Sequence, residues 1–132
     1  LEDNEMDVRL HALDVISNYG NKDSLAFLLN VARKKSGFAS QVDDEMRKKA
    51  ILALGNIGNH NAIEELRKLL LSKSFMTVLE NTDIRLCAVQ ALAKIGGDEA
   101  KKILQAVAEK DGRESVRDEA KRGLNKVDED NW

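Results

Sequence analysis

Proline is absent from the 132 residues of this chain, and cysteine occurs only once, as Cys87. Without proline, no helix has to accommodate a residue that lacks the backbone N–H donor. A single cysteine excludes an internal disulfide and a cysteine cluster that could hold zinc or iron. A chain of this length can bury roughly two thirds of its unfolded surface. The fold is therefore expected to be stabilised by an apolar core, without cross-links or metals.

Aromatic residues are also few, and the net charge of the chain is small. Aromatics make up 4% of the chain, and 21 Lys and Arg residues are balanced by 23 Asp and Glu residues. A net charge of −2 provides no long-range attraction to a polyanion, so no nucleic-acid partner is predicted. No apolar run approaches the roughly 20 residues that cross a bilayer, and no leader pattern is present, so no membrane insertion is expected. The cytoplasm is the default expectation for the compartment.

One segment occurs four times along the chain, and its most recognisable residue is an arginine. Arg9, Arg47 and Arg85 are separated by 38 residues each, and Arg117 follows after 32. The copies read DVRLHALDVISNYG (7–20), EMRKKAILALGNIG (45–58), DIRLCAVQALAKIG (83–96) and SVRDEAKRGLNKVD (115–128). A fixed period of this length is typical of proteins built from stacked units.

Each copy has the spacing of an amphipathic helix. An apolar residue precedes the arginine, alanine follows three positions later, and apolar residues follow seven and ten positions later; these share one face of a helix at 3.6 residues per turn. The alanines are Ala12, Ala50, Ala88 and Ala120; the apolar residues are Val8, Met46, Ile84, Val116, Ile16, Leu54, Leu92, Leu124, Tyr19, Ile57, Ile95 and Val127. Gly20, Gly58 and Gly96 are predicted to end the first three helices.

A second amphipathic helix is predicted after each of those glycines. Its apolar positions are Leu25, Leu28 and Val31 in the first unit, Ile63, Leu66 and Leu69 in the second, and Leu104 and Val107 in the third. Asp23, Asn61 and Asp98 are the expected N-caps. The unit is thus helix, turn, helix. Such units bury their apolar faces by stacking, so the sequence predicts an all-α solenoid.

The pattern of apolar-Arg-x-x-Ala, Leu four residues later, then Ile-Gly and a second helix resembles the HEAT-like repeats of the phycobilin-lyase type. The resemblance covers about residues 6–127 and implies a right-handed α-α superhelix of about three and a half hairpins and seven helices. Repeats are expected at about 5–36, 43–74 and 82–110 in a single domain spanning 1–132. The first two connections between repeats are longer than the family's short unit.

The two ends of the stack differ in the sequence. At the position four residues after the arginine, Leu13, Ile51 and Val89 are apolar, but the last copy has Lys121. A terminal unit needs a polar outer face, so the helix at about 114–127 is expected to cap the stack. The first hairpin has no such polar face. The chain is therefore expected to be part of a longer protein in which other repeats or another domain come first.

The arginines themselves, Arg9, Arg47, Arg85 and Arg117, lie within the apolar arc of their helices and should be partly buried. A buried guanidinium needs acceptors, so carboxylates or turn carbonyls of the same or an adjacent repeat should meet it. The candidate partners are Asp23, Asn61 and Glu99. The structural interpretation is favoured over the alternative, in which these arginines bind an anion.

Two surfaces are candidates for binding a partner. Phe75, Met76, Val78 and Leu79 are apolar residues in the connection 71–82, where they either extend a helix and pack on the stack or form an exposed ridge for a partner. The second surface is the outward row of the second helices, which includes Glu64, Lys68 and Lys102. This row carries both acidic and basic side chains, which suits a protein or peptide partner better than a uniformly anionic nucleic-acid strand.

No nucleophile–base pair, phosphate-binding glycine loop, metal-ligand spacing or catalytic carboxylate pair occurs. The sequence therefore predicts a protein-interaction scaffold, monomeric as an isolated domain, with no enzymatic activity, cofactor or metal. The resemblance suggests alternatives, because related families include chromophore lyases and a HEAT-like DNA glycosylase that processes nucleic acid. A purely structural spacer is a third alternative. Function cannot be taken from this fold alone, because it supports many tasks.

Overall fold

The structure of the chain is a computed structural model, and it describes residues 22–33, 41–71 and 80–130 together with residues 7, 8, 10–12 and 15. Within these ranges the elements are helical and there is no β-strand. The helices are α1 (Lys22–Arg33), α2 (Gln41–Ile57), α3 (Ile63–Leu71), α4 (Thr82–Ile95), α5 (Gly97–Lys110) and α6 (Glu114–Asp130). A 3-10 turn at His60–Ala62 leads into α3. Among these residues, no helix is both long enough and apolar enough to span a bilayer.

The helices form two layers, as expected for a solenoid. The first helices of successive units, α2, α4 and α6, pack side by side. The second helices are α1, α3 and α5, and each packs against the first helix of the unit that follows it. Contacts also join α3 to α5. Because contacts within and between the two layers join successive helices, the apolar faces merge into one continuous core.

The repeated apolar positions fill that core. Ala50, Ala88 and Ala120, three residues after their arginines, are fully buried, and so are Leu54 and Leu92. The second helices contribute one equivalent fully buried leucine each, and these residues are Leu28, Leu66 and Leu104. The burial predicted from the helical periodicity is confirmed at these positions.

Small residues set the spacing between the first helices. A Cβ atom placed on Gly55 would lie 2.7 Å from the Cα atom of Ala91, closer than side chains approach a backbone. A Cβ atom on Gly123 would lie 3.1 Å from the Cβ atom of Ala93. Because a side chain at Gly55 would push against the backbone of α4, glycine is needed there for α2 and α4 to pack this closely.

Two of the three predicted helix-ending glycines lie among the described residues, and both have left-handed backbones. Gly58 has φ +72° and Gly96 has φ +69°, as predicted for residues that close a helix. Gly20 lies outside the described part of the chain.

The predicted N-caps were wrong for the second and third units. The capping side chain is that of Asn59, whose Oδ1 accepts from the backbone N–H of Asn61 at 2.8 Å. Asp98 lies in the first turn of α5, and the cap position is Gly96, which makes no side-chain cap bond. A cap must have a non-helical backbone just before the first turn, as Asn59 does, and apolar spacing alone does not locate that residue. The side chain of Asp23 is outside the described part.

The first segment departs from the predicted burial pattern. Val8 is 69% exposed and Ala12 is also exposed, whereas the equivalent Ile84 and Val116 are fully buried. Those later residues lie on first helices that pack against the second helix of the preceding unit. The expectation for Arg9, Leu13, Ile16 and Tyr19 falls on residues outside the described ranges.

Candidate protein-binding surface

The repeated arginines join successive units at buried junctions. Arg47 is only 4% exposed, which confirms its predicted burial. Its Nε donates to the carbonyl oxygen of Ala32, near the C-terminus of α1, at 3.0 Å. Nη1 and Nη2 donate to the two carboxylate oxygens of Glu80, both at 2.9 Å. One side chain therefore links the end of α1, helix α2 and the residue that leads into α4.

Arg85 repeats this arrangement one unit later. It is 7% exposed, and its Nη1 and Nη2 donate to the carbonyl oxygens of Leu69 and Leu70 at 3.2 and 3.3 Å. Its Nη2 also pairs with the carboxylate of Asp111, which leads into α6. Arg117 donates from Nη1 to the carbonyl oxygen of Asp111 at 2.7 Å. A cation at the C-terminal end of a helix is also favoured by the helix dipole.

The predicted partners Asn61 and Glu99 were wrong, because both residues are exposed and the acceptors are Glu80 and Asp111. Asp23 belongs to the unit of Arg9, which lies outside the described residues. The observed carboxylates stand five residues before Arg85 and six before Arg117. An acidic residue five or six positions before the repeated arginine could therefore have predicted the carboxylate partner from the sequence. The predicted partners were instead residues of the second helix of the same unit.

The exposed surface of α1, α3 and α5 carries the predicted outward row, here called the second-helix row and defined as Ala26, Asn30, Glu64, Lys68 and Lys102. All five residues are exposed, and the next equivalent position, Ala106, is half-buried. Because α3 packs beside α5, Glu64, Lys68 and Lys102 are presented by neighbouring elements of the stack.

The charges around the second-helix row are of both signs and pair with one another on α3. The Arg67 guanidinium donates to both carboxylate oxygens of Glu64, at 2.9 and 2.7 Å. This hydrogen-bonded pairing lowers the pKa of Glu64 and raises the pKa of Arg67, to which Glu99 of α5 adds a smaller effect. Lys68 lies 3.6 Å from the carboxylate of Glu65. The surface therefore offers both donors and acceptors to a partner.

An exposed aromatic residue lies at the α1 end of this row. Phe27 is 43% exposed and follows Ala26 in α1, three residues before Asn30, so it flanks the row on the helix surface. Aromatic side chains of this kind commonly anchor protein interfaces. Phe27 was not among the predicted binding residues, because an apolar residue in an amphipathic helix is normally assigned to the buried face.

The other predicted binding residues, Phe75, Met76, Val78 and Leu79, lie outside the described part of the chain. The ridge that they were expected to form stays a prediction.

Within the described ranges, no group of three or more His, Cys, Asp and Glu residues could hold a metal ion. Cys87 is half-buried in α4. Burial raises the pKa of its thiol, nearby Lys48 opposes that rise, and Asp83 and Glu45 add to it.

Cys87 is therefore expected to react slowly with iodoacetamide at neutral pH, because only the thiolate is the nucleophile. Mass spectrometry should show slower alkylation than for glutathione, and urea should accelerate it. The raised pKa favours the protonated thiol in the folded state. The protonated Cys87 thiol therefore stabilises the fold fully at a pH below the pKa that this thiol has in the unfolded chain. That stabilisation is lost as the pH rises through the higher pKa of the thiol in the folded chain. Fast alkylation of the folded protein would contradict the burial of this thiol.

A family model described as HEAT repeats matches residues 1–78 and again residues 39–125. The chain belongs to the HEAT-repeat family. The two matches begin 38 residues apart, which is the separation of the first three arginines. No curated protein and no solved structure matches the chain. The HEAT assignment confirms the predicted repeat fold, while the phycobilin-lyase type stays a prediction from the residue pattern.

Proposed function

We propose that this HEAT-repeat protein is a scaffold that binds a protein or peptide partner along the second-helix row. HEAT repeats commonly serve as protein-interaction scaffolds. The observation that carries the proposal is the row itself, in which exposed polar side chains continue from α1 to α5, with both charge signs on α3, beside the exposed Phe27.

The charges of the row favour a polypeptide over a nucleic acid as the partner. A nucleic acid would require a surface dominated by lysine and arginine, because its binding depends on neutralising many phosphates. Here two acidic residues, Glu64 and Glu65, pair with two basic residues, Arg67 and Lys68. A polypeptide with both acidic and basic side chains can satisfy such a surface, and Phe27 offers it an apolar anchor.

The buried junctions support a scaffold because they limit the motion of the row. Arg47 and Arg85 each bond to the end of one second helix and to the residue that leads into the next first helix. These bonds restrain the relative positions of neighbouring units. A partner then binds a preformed surface, so less ordering entropy is lost on binding.

Reversing two charges on the row tests this proposal. The chain and its Lys68→Glu/Lys102→Glu variant would be immobilised and exposed to an extract of the source cells, with retained proteins quantified by mass spectrometry. We expect a partner of the unaltered chain to be retained about tenfold less by the double variant, because each lysine contact becomes a repulsion.

The matched control is Lys121→Glu, which reverses an exposed charge on α6, in the other layer of helices. It should retain the same partner as the unaltered chain, and circular dichroism should show that all variants are folded. Equal retention by the double variant, or equal loss by the control, would contradict binding at the second-helix row.

The proposal assigns no catalytic activity to the chain. Assays of bilin transfer and of alkylated-base excision test the two activities that the resemblance suggested. Turnover in either assay that is lost on heat denaturation would replace the scaffold proposal with an enzymatic one.

A further inference from the structure

A groove of about 430 Å³ lies between α4 and α6, in the layer of first helices. It is separate from the second-helix row and plays no part in the function proposed above. Its lining residues are Val89, Gln90, Ala93 and Lys94 from α4, and Glu119, Arg122, Gly123 and Lys126 from α6. The volume is within the range of pockets that accept small ligands or side chains.

The floor of the groove is apolar and lacks large side chains. Val89 is fully buried, Ala93 is 7% exposed, and Gly123 is buried as well. Position 123 lies six residues after the arginine of its unit, where the two preceding units have Ala53 and Ala91. Gly123 packs closely on Ala93, where a Cβ atom would come within 3.1 Å, so the floor is a closed apolar surface formed by small residues of both helices.

The rim of the groove is positively charged. Arg122 pairs with Glu119 at 2.6 Å, and Gln90 also donates to Glu119, at 3.5 Å, so this carboxylate is already engaged. Lys94 donates to the neutral Oδ1 of Asn56 at 2.5 Å. Lys94 and Lys126 line the groove from α4 and α6. Two lysine charges from facing helices therefore lie beside an apolar floor.

We propose that this groove binds a short acidic peptide segment that inserts one aliphatic side chain between α4 and α6. The lysine charges of Lys94 and Lys126 match acidic residues on both sides of the inserted group, and the floor of Val89, Ala93 and Gly123 matches its apolar surface. A phosphate backbone would use the two charges but would leave the apolar floor uncovered. The combination of both features therefore selects a peptide over a polyanion.

The experiment follows the backbone amide resonances of the whole 15N-labelled chain during titration with an acetylated, amidated peptide of sequence Glu-Asp-Leu-Asp-Glu. We expect shifts to concentrate at the residues that line the groove, with weak binding because the rim is exposed. The peptide in which glycine replaces leucine should bind about fivefold more weakly, since it loses the buried aliphatic group.

The double variant Lys94→Glu/Lys126→Glu should weaken binding of the leucine peptide about tenfold. The matched control is Lys110→Glu/Lys121→Glu, which reverses the same number of exposed lysines outside both the groove and the second-helix row and should leave the affinity unchanged. Both pairs are exposed, so both variants are expected to fold. Because Lys94→Glu/Lys126→Glu leaves the second-helix row intact, failure of the groove proposal is distinguishable from failure of the scaffold proposal.

Three results would overturn the proposal. The first is an absence of shifts at the groove with millimolar peptide. The second is equal affinity of the leucine and glycine peptides, which would show that the floor accepts no side chain. The third is binding of single-stranded oligodeoxyadenylate at the same residues with equal or greater affinity, which would indicate a general cationic surface.

Discussion

Replacing Glu80 with glutamine is expected to lower the free energy of unfolding by about 3–5 kcal/mol, because a buried guanidinium then loses its countercharge. The Arg47 and Glu80 side chains are only 5% and 6% exposed, so water cannot replace the missing carboxylate. Glu80 also accepts from the backbone N–H of Asn81 at 3.2 Å, and this bond is lost or weakened too. Urea denaturation followed by circular dichroism measures the change.

The matched control is Glu64→Gln, which makes the same substitution in the exposed pair with Arg67. Water screens that pair, so little change in stability is expected. The double variant Arg47→Met/Glu80→Leu should cost less than the sum of its single changes, because no unpaired charge is left in the core. Equal, small effects of Glu80→Gln and Glu64→Gln would show that the junction is not buried as described.

Leu54→Ala is expected to lower the free energy of unfolding by about 2–5 kcal/mol by opening a cavity in the core. Leu54 is fully buried in α2, and the same position in α4, Leu92, is fully buried as well. The surrounding helices are held at fixed spacing by the close contact of Gly55 with Ala91, so they cannot collapse far into the space. Thermal and urea denaturation both report the loss.

Leu52→Ala is the control for this substitution, because it removes the same atoms from the same helix. Leu52 is 37% exposed, so less apolar surface returns to water and no enclosed cavity forms. We expect it to cost less than half as much as Leu54→Ala. If Leu52→Ala were the more destabilising change, the faces assigned to α2 would be reversed.

At the buried junctions, the repeated arginine bonds to both neighbouring units. Arg47 and Arg85 each contact the unit before and the unit after their own. Damage to one junction should therefore loosen two interfaces between units, and not only one. In a repeat protein, where stability is close to a sum of neighbour interactions, this makes the arginine positions unusually sensitive.

Local periodicity determined which helices form and which faces they bury. Ala88 and Leu92 are core residues because the four-residue spacing places them on one side of α4, and this holds in any stack of such helices. The positive φ of Gly58 and Gly96 follows equally from their place after an apolar helix. The HEAT-like fold was therefore predictable from this one chain, and so was a second-helix row of mixed charge.

The tertiary structure alone decided which elements meet. A helical wheel places Arg47 inside an apolar arc but does not show that Glu80, 33 residues away, reaches it, because that contact depends on how the next unit is placed. The exposure of Val8 likewise depends on what lies beside the helix. The groove between α4 and α6 also depends on their spacing, which brings Ala93 and Gly123 together from separate units. The spacing of apolar residues in the sequence determines which face of a helix is buried, whereas long-range packing determines which other element covers that face.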